Sequence, residues 1–425
     1  MQRKALACFA PLQLCALALG FVFSELTGGV MNVLFIQCGG PTPVLNASLV
    51  AAIAAWQNDA SQFKFWGSRL GLQGLVDGDW VDLTDLSLAT LDQLRRQPGA
   101  ALGSSRHFLA DAELPCVLTR LQNRAITCVL VNGGNGAMAA AQKLAQSANA
   151  TGYQIEGKGL QVIGIPKTVD NDLVATDTAP GYGSAACFVA QTTRDIGLDL
   201  YAMRGFDDVA VLETMGRHAG WLTGAAALAR QNPDDAPELI LLPEITFDEA
   251  AWLEKVQAVH QDKGICLVVA SEGIRDARGQ FLAEKLGQAD TDARGQKTLG
   301  LAAGVAPYLA HLVRQRLGLR CRQIRPDTIQ RSSSALTSAT DRHLAEMVGT
   351  QAIYAAQQSA SEVMIGLTRM ADGWQTFHVP LATVIGQERK LPPEFIDRAG
   401  WGVTPAFVEY VQPLVGQVAN GAIRF

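Results

Sequence analysis

Short runs of apolar residues alternate along the chain with segments of helical periodicity. The apolar runs are rich in β-branched residues and are bounded by glycine or proline, a pattern typical of buried strands. The runs that predict strands are Val33–Gln37, Thr127–Val131, Gln161–Ile165, Val209–Leu212, Leu239–Leu242 and Cys266–Ala270. The intervening segments that predict helices are Asn46–Trp56, Ala137–Ala148 and Gly220–Arg230.

This repetition of strand, glycine turn and helix is typical of a parallel sheet with helices on both faces. In such α/β folds, ligands bind beyond the carboxyl ends of the strands. Two later segments have different patterns. Residues 275–297 are polar and predict a surface loop. Residues 362–381 alternate apolar and polar side chains around Asp372-Gly373, which predicts a hairpin.

The composition narrows the class of protein. The 425 residues are 48% hydrophobic, enough to bury a large core, and at roughly 100–200 residues per domain they predict two or three domains. The net charge of −5 argues against a nucleic-acid partner. The eight cysteines are scattered and form no CxxC pair. They predict small buried hydrophobes in a reducing cytosol rather than a metal site.

The N-terminal 30 residues allow two interpretations. Arg3 and Lys4 precede the apolar run Ala5–Phe23, which resembles a signal peptide. However, Met31 opens directly into a predicted strand, and the run lacks a clean small-residue cleavage site. We therefore expect residues 1–30 to be an extension outside the fold of a cytoplasmic protein; a functional signal or anchor is the alternative. No other stretch approaches the roughly 20 apolar residues of a membrane span, so no membrane partner is expected.

Two glycine turns follow predicted strands, at residues 39–40 and 133–136. A glycine turn between a strand and a helix lets backbone N–H groups approach a phosphate near the helix N-terminus. Two such turns in one sheet are consistent with one elongated anion held between them. Two unrelated tight turns would explain these residues equally well.

The segment 164–172, Gly-Ile-Pro-Lys-Thr-Val-Asp-Asn-Asp, is far more specific. It places Lys167, Thr168, Asp170 and Asp172 just after a predicted strand. Phosphoryl transfer from a metal-bound donor to an alcohol needs such parts: one carboxylate accepts the hydroxyl proton, another helps to hold Mg²⁺, and a cation stabilises the transferring group. A polar loop with an Asp-Asn-Asp turn is the alternative, and it combines poorly with the phosphate-type turns elsewhere.

Later strands also end in polar residues. Arg217 lies near a predicted helix start, where a guanidinium can bind phosphate bidentately. We expect His218 beside it to be a hydrogen-bonding residue, because nothing pairs it with a nucleophile. Glu272 places a carboxylate at a strand end, where it can bind sugar hydroxyls. Arg320 and Arg325 are interpreted as surface residues.

Together these motifs resemble the phosphofructokinase family. Gly-Gly-Pro-Thr-Pro, Gly-Gly-Asn-Gly, Pro-Lys-Thr-Val-Asp-Asn-Asp, Met-Gly-Arg-His-Ala-Gly-Trp and Ser-Glu-Gly occur in the family's order. The resemblance runs from Val33 to Met347, and the residues after it add little. It implies two Rossmann-like, three-layer parallel-sheet domains with the active site in the cleft between them. Residues 31–180 would bind the phosphoryl donor, with later segments returning to that domain. Residues 181–345 would bind fructose 6-phosphate, and residues 346–425 would form C-terminal helix and hairpin segments.

The resemblance also implies site residues. Asp170 would be the general base for the 1-hydroxyl of fructose 6-phosphate, assisted by Lys167 and Arg217, and Asp172 and Asn135 would hold Mg²⁺. The implied sugar-phosphate site consists of Thr168, Asp170, Asp172, Met215, Gly216, Arg217, Glu272, Arg322 and Arg331. The implied donor site consists of Gly40, Arg106, Gly134, Asn135 and Lys167. One family arginine at the sugar phosphate comes from a neighbouring subunit, which implies a homodimer or homotetramer.

Two positions bear on the phosphoryl donor and point in opposite directions. Family members that use pyrophosphate carry lysine at the position of Lys167, whereas ATP users usually carry glycine. Pyrophosphate users often carry an acidic residue at the position of Gly136, which blocks the nucleotide, and here that space is open. We expect pyrophosphate to be the donor in a reversible reaction, with ATP as the alternative.

Other positions depart from the family pattern. Asn135 replaces the usual metal-binding aspartate, and Thr328 stands where many members have histidine. Asp208 lies near the position of a family arginine, for which Arg204 could substitute. These departures leave open a catalytically degenerate regulatory subunit or metabolite sensor. A dehydrogenase-like nucleotide-binding protein is disfavoured, because no GxGxxG follows the first strand.

Overall fold

The computed structural model describes residues 31–57, 63–287, 304–399 and 401–418. The predicted extension, residues 1–30, lies outside these ranges, as does the end of the predicted surface loop. Within these ranges, no helix combines the length and the apolar character that a membrane crossing requires.

The strands lie close to the predicted apolar runs. In chain order they are β1 (Val33–Gln37), β2 (Phe65–Ser68), β3 (Trp80–Asp82), β4 (Cys128–Gly133), β5 (Gln161–Pro166), β6 (Val209–Thr214), β7 (Leu239–Leu241), β8 (Cys266–Ser271), β9 (Cys321–Ile324), β10 (Val363–Met370), β11 (Gly373–Pro380), β12 (Ile396–Asp397) and β13 (Gly402–Val403).

The helices lie between and after these strands. They are α1 (Leu45–Gln57), α2 (Leu72–Asp77), α3 (Leu88–Arg96), α4 (Leu114–Asn123), α5 (Asn135–Ala150), α6 (Tyr182–Ala202), α7 (Trp221–Gly224), α8 (Glu249–Lys263), α9 (Val305–Leu312), α10 (Ala339–Gln357), α11 (Leu381–Val384) and α12 (Pro405–Val415).

Within the described ranges, two large sheets organise the fold, and β12 and β13 form a separate two-stranded sheet. The larger sheet has the order β11-β10-β5-β4-β1-β2-β3, and the smaller has the order β7-β8-β6-β9. The neighbours in the smaller sheet pair in parallel. In the larger sheet only the two edge strands, β3 and β11, are antiparallel to their neighbours. Strands β1, β4, β6 and β8 are buried along their whole length, because helices cover both faces of such sheets. The predicted α/β fold class is confirmed.

In two segments near the sheets, the structure can be compared with the conformation that the local sequence pattern predicts. The predicted hairpin forms as β10 and β11, and β10 adds to the larger sheet beside β5. The predicted helix Gly220–Arg230 is wrong in part, because α7 ends at Gly224 and continues as a 3₁₀ helix, Ala225–Ala229. At Gly224 the ring of Phe407 comes so close that a Cβ would lie 2.9 Å from it. A side chain would therefore not fit at the point where the α-helical turn ends.

Candidate active site

Two adjoining cavities lie where the carboxyl ends of the strands in the two sheets face each other. The first cavity, of about 290 Å³, is bounded mainly by the turns after β1 and β4. The second, of about 580 Å³, is bounded mainly by residues after β6 and β8 and by residues 325–331. Residues that line both cavities mark their junction: Gly40, Arg106, Lys167, Thr168, Asp170, Arg217 and Glu272.

The structure brings most of the predicted site residues to these cavities. Gly134, Asn135 and Asp172 line the first cavity, and Met215 and Arg331 line the second. The remaining predicted residues lie at the junction, apart from two that line neither cavity.

Those two residues are Gly216 and Arg322. Gly216 lies between two lining residues, and its carbonyl oxygen accepts a hydrogen bond of 2.6 Å from Ser271 Oγ. Arg322 lies on edge strand β9, where its side chain is 54% exposed and its Nε is 2.6 Å from Asp207 Oδ2. Arg322 is therefore directed away from the cleft of its own chain.

Lys167 connects the two predicted glycine turns. Its Nζ donates a hydrogen bond of 2.8 Å to the Gly40 carbonyl oxygen, and its backbone N–H donates one of 3.0 Å to the Gly133 carbonyl oxygen. The side chain is only 5% exposed. Burial, with a smaller contribution from nearby Arg331, lowers the pKa of Lys167 to about 8. A buried cation thus lies where the two turns meet.

Asp170 is one of the two carboxylates, with Glu272, that line both cavities. Burial raises its pKa to about 7, and the nearby Asp172 and Glu272 carboxylates act in the same direction. Arg217 and Lys167 oppose this rise. A carboxylate with such a pKa can exchange a proton with an alcohol near neutral pH.

Asp172 and Asn135 place side-chain oxygens beside the first cavity. Asn135 Nδ2 donates a hydrogen bond of 2.9 Å to Asp172 Oδ2, and Asn135 Oδ1 is buried without a hydrogen-bond partner in the described part of the chain. Among the residues the structure describes, no three His, Cys, Asp or Glu side chains are arranged to hold one metal ion. A carboxylate and an unsatisfied amide oxygen fit Mg²⁺ only if phosphate and water oxygens complete its coordination, the arrangement that Mg²⁺ usually adopts.

Glu272 and Met215 follow the central strands of the smaller sheet. Burial raises the pKa of Glu272 to about 7, opposed by nearby Arg217. The Glu272 backbone N–H donates to the Thr214 carbonyl oxygen at 2.9 Å, and the Met215 N–H donates to Gln330 Oε1 at 2.9 Å. The first bond links the ends of β6 and β8, and the second ties the end of β6 to residues 327–331.

Arg325 is a cavity residue that the sequence interpretation missed. It lines the second cavity rather than the outer surface, and its side chain is 22% exposed. Its Nε lies 3.4 Å from Glu213 Oε1 and its Nη2 lies 3.7 Å from Asp327 Oδ1. A Cβ on Gly304 would lie 2.8 Å from its Cζ, so the glycine leaves room for this ion pair. No motif marks Arg325, because its partner Glu213 comes from a distant segment of the chain.

Glu388 is a second missed residue, from the C-terminal part of the chain. It lines the first cavity, and its Oε2 lies 2.8 Å from His218 Nδ1. His218 is hydrogen-bonded, as predicted, but to a residue that sequence proximity could not identify. Glu388 also contributes to raising the pKa of Asp172, for which burial is the main cause.

Two other sequence interpretations concern residues outside the cavities. Arg320 is exposed, as predicted, and its Nη2 lies 2.8 Å from Asp208 Oδ1. Hydrogen bonding to Arg320 lowers the pKa of Asp208 to about 2. Arg204 stacks on Tyr201, with its Cζ 4.3 Å from the ring centroid. Asp208 is thus held by an arginine of its own chain.

Comparison with known proteins identifies the class of this cleft. A family model described as phosphofructokinase matches residues 32–356. The chain therefore belongs to the phosphofructokinase family, which confirms the resemblance seen in the motifs.

More specific similarities follow. The chain is 40% identical to a pyrophosphate–fructose 6-phosphate 1-phosphotransferase of Xanthomonas campestris, over 90% of this chain and 91% of that protein. A protein of the same name from Halomonas elongata is 36% identical, with the same coverage. The crystal structure of a pyrophosphate-dependent phosphofructokinase from Nitrosospira multiformis is similar, with a TM-score of 0.82 and 32% identity. The structural similarity covers 93% of this chain and 94% of the chain in that crystal structure.

Proposed function

We propose that this protein transfers a phosphoryl group from pyrophosphate to the 1-hydroxyl of fructose 6-phosphate, in a reversible reaction that gives fructose 1,6-bisphosphate. The observation that carries this proposal is the position of Lys167, a buried cation that contacts both glycine turns beside Asp170. The names of the similar proteins support the same donor and acceptor.

In the proposed reaction, fructose 6-phosphate occupies the second cavity with its 1-hydroxyl at Asp170. Asp170 accepts the hydroxyl proton as the oxygen attacks phosphorus, the bridging P–O bond of pyrophosphate breaks and inorganic phosphate leaves. The role of such a base contributes typically about 10²–10⁴-fold to the rate. Lys167 and Arg217 line both cavities and stabilise the charge on the transferring group. Because these cations are already fixed by the fold, they need no reorganisation during the transfer.

Asp172 and Asn135 are proposed to hold Mg²⁺ together with oxygens of pyrophosphate. The ion, when bound, neutralises charge on the pyrophosphate oxygens. The hydrogen bond between Asn135 Nδ2 and Asp172 Oδ2 fixes the orientation of both side chains. It leaves Asn135 Oδ1, which has no hydrogen-bond partner in the described part of the chain, beside the Asp172 carboxylate as a second acceptor.

The acceptor is proposed to bind through its two ends. The sugar and its reacting end would be surrounded by Thr168, Met215, Gly216, Arg217, Glu272 and Arg331. Arg325 lines the second cavity but not the first, so it would bind the phosphate at the opposite end. Arg322 is exposed on an edge strand, and we propose that it reaches the sugar phosphate of a neighbouring subunit in a homodimer or homotetramer.

ATP is the second candidate donor, favoured by Gly136, which lines the first cavity and carries no side chain to exclude a nucleotide. Gly136 permits ATP but gives it no added stabilisation, whereas Lys167 acts on the transferring group itself. A degenerate regulatory subunit is disfavoured, because Asp170, Lys167 and Arg217 converge on one junction.

A donor comparison tests the proposal. The purified full-length protein is assayed with fructose 6-phosphate, Mg²⁺ and either pyrophosphate or ATP, by following fructose 1,6-bisphosphate. We expect at least tenfold higher kcat/KM with pyrophosphate, about 1.4 kcal/mol in transition-state terms. Turnover with ATP but not with pyrophosphate would refute pyrophosphate as the donor. It would still support phosphoryl transfer to fructose 6-phosphate. Turnover with neither donor would favour the regulatory alternative.

A further inference from the structure

The polypeptide after residue 356 lies beyond the part of the chain that the family model matches, yet it contacts the catalytic loop, defined here as residues 166–172. Two of its residues make these contacts. The backbone N–H of Arg389 donates a hydrogen bond of 2.7 Å to the Asp172 carbonyl oxygen. The Tyr410 hydroxyl accepts one of 2.7 Å from Asn171 Nδ2.

Asn171 separates the two carboxylates of the catalytic loop and has a left-handed backbone, with φ of +55°. Its side chain is 1% exposed, and its Oδ1 accepts hydrogen bonds from Thr178 Oγ1 at 3.2 Å and Ala179 N at 3.1 Å. Left-handed conformations of non-glycine residues persist where the surrounding structure over-determines them. The contact with Tyr410 is one of the constraints that do so here.

Arg389 binds backbone carbonyl oxygens of this loop and of the segment that directly follows it. Its Nε donates to the Asn171 carbonyl oxygen at 3.1 Å, and its Nη1 donates to those of Thr176 at 2.8 Å and Asp177 at 2.7 Å. Its Nη2 donates to the Tyr410 hydroxyl at 3.3 Å, and that hydroxyl donates to the Asp177 carbonyl oxygen at 2.7 Å. Such an array needs the planar fork of an arginine, which lysine cannot reproduce.

Arg389 also contacts the opposite side of the cleft. Its Cζ lies 4.2 Å from the ring centroid of Trp221, and Trp221 Nε1 donates to the Arg389 carbonyl oxygen at 2.9 Å. Trp221 begins α7, directly after the acceptor loop, defined here as residues 215–220, which contains Arg217. One residue therefore connects the loop that carries Asp170 to the element that follows Arg217.

We propose that Arg389 and Tyr410 are positioning residues that fix Asp170 and Asp172 for phosphoryl transfer, acting through Asn171. Arg389 in addition fixes the distance between the catalytic and acceptor loops. The inference rests on the role proposed above for Asp170. A misplacement of about 1 Å between reacting groups can cost on the order of 10²-fold in rate, so loss of these contacts reduces turnover without removing any group that touches substrate.

The test compares Tyr410→Phe and Arg389→Lys with matched controls on the surface, Tyr354→Phe and Arg278→Lys. Tyr410→Phe keeps the ring, which packs 5.2 Å from Trp221, and removes only the hydroxyl. Each full-length variant is measured for kcat, for KM of fructose 6-phosphate, for its thermal midpoint and for hydrogen exchange of residues 166–179.

We expect Tyr410→Phe to lower kcat by about 10- to 100-fold, with KM within twofold and faster exchange confined to residues 166–179. Arg389→Lys is expected to lower kcat as much and also to raise KM, because the acceptor loop loses its contact. An unchanged kcat in both variants overturns the proposal. Uniformly faster exchange with a lower thermal midpoint also overturns it, since the residues would then be merely structural. If Asp170→Asn retains turnover, the base assignment fails, and local exchange in Tyr410→Phe still decides whether the contacts hold the loop.

Discussion

Replacing Lys167 by methionine removes the buried cation while keeping a side chain of similar length. The amine donates a hydrogen bond of 2.8 Å to the Gly40 carbonyl oxygen and the residue is 5% exposed, so water cannot replace the charge without rearrangement. Removing one preorganised donor from such a site costs about 10²–10³-fold in kcat, roughly 3–4 kcal/mol. We expect a loss of this size with pyrophosphate as donor.

The pH profile gives a second, independent signature of the same substitution. In the wild type, turnover should rise as pH increases through about 7, where Asp170 loses its proton, and fall above about 8, where Lys167 loses its proton. The methionine variant should lack the alkaline decline. Its acid limb should move to higher pH, because Lys167 helps to lower the pKa of Asp170 in the wild type.

Steady-state kinetics between about pH 5 and pH 10, roughly two units on either side of these pKa values, measure both effects. Gly136→Asp is the control, because it adds bulk to the first cavity without touching the cation. It should leave the pyrophosphate reaction nearly intact and reduce any reaction with ATP. A methionine variant that keeps the wild-type kcat with pyrophosphate would refute the role assigned to Lys167.

Three further predictions address the other groups in the cleft. Asp170→Asn should lower kcat by about 10²–10⁴-fold while calorimetry still detects binding of fructose 6-phosphate; near-normal turnover would remove Asp170 from the role of base. Arg325→Gln should raise KM for fructose 6-phosphate by about 10- to 100-fold, as expected for the loss of a hydrogen bond to a charged group, with little change in kcat; Arg320→Gln on the surface is its control, and equal effects of the two would contradict the assignment. Asn135→Asp should lower the Mg²⁺ concentration needed for half-maximal rate, and an unchanged Mg²⁺ dependence would place the ion elsewhere.

The hydrophobic pattern alone determined most of the framework. Strands β1, β4, β5, β6 and β8 were predicted within a few residues, because each is a continuous apolar run bounded by glycine or proline and buried on both faces. The loop at residues 164–172 could be interpreted chemically for a related reason. Its cation and carboxylates are neighbours in sequence, and a single strand end delivers them to one place.

Tertiary structure decided which distant side chains complete the cleft. Asn171 and Tyr410 are separated by 239 positions. Arg325, which directly follows β9, pairs with Glu213 on β6. Periodicity specifies which face of an element is buried, but the partner of a polar side chain depends on which elements meet. Arg325 therefore looked like a surface residue and Arg389 like part of an uninformative tail until the two sheets and the C-terminal segment were brought together.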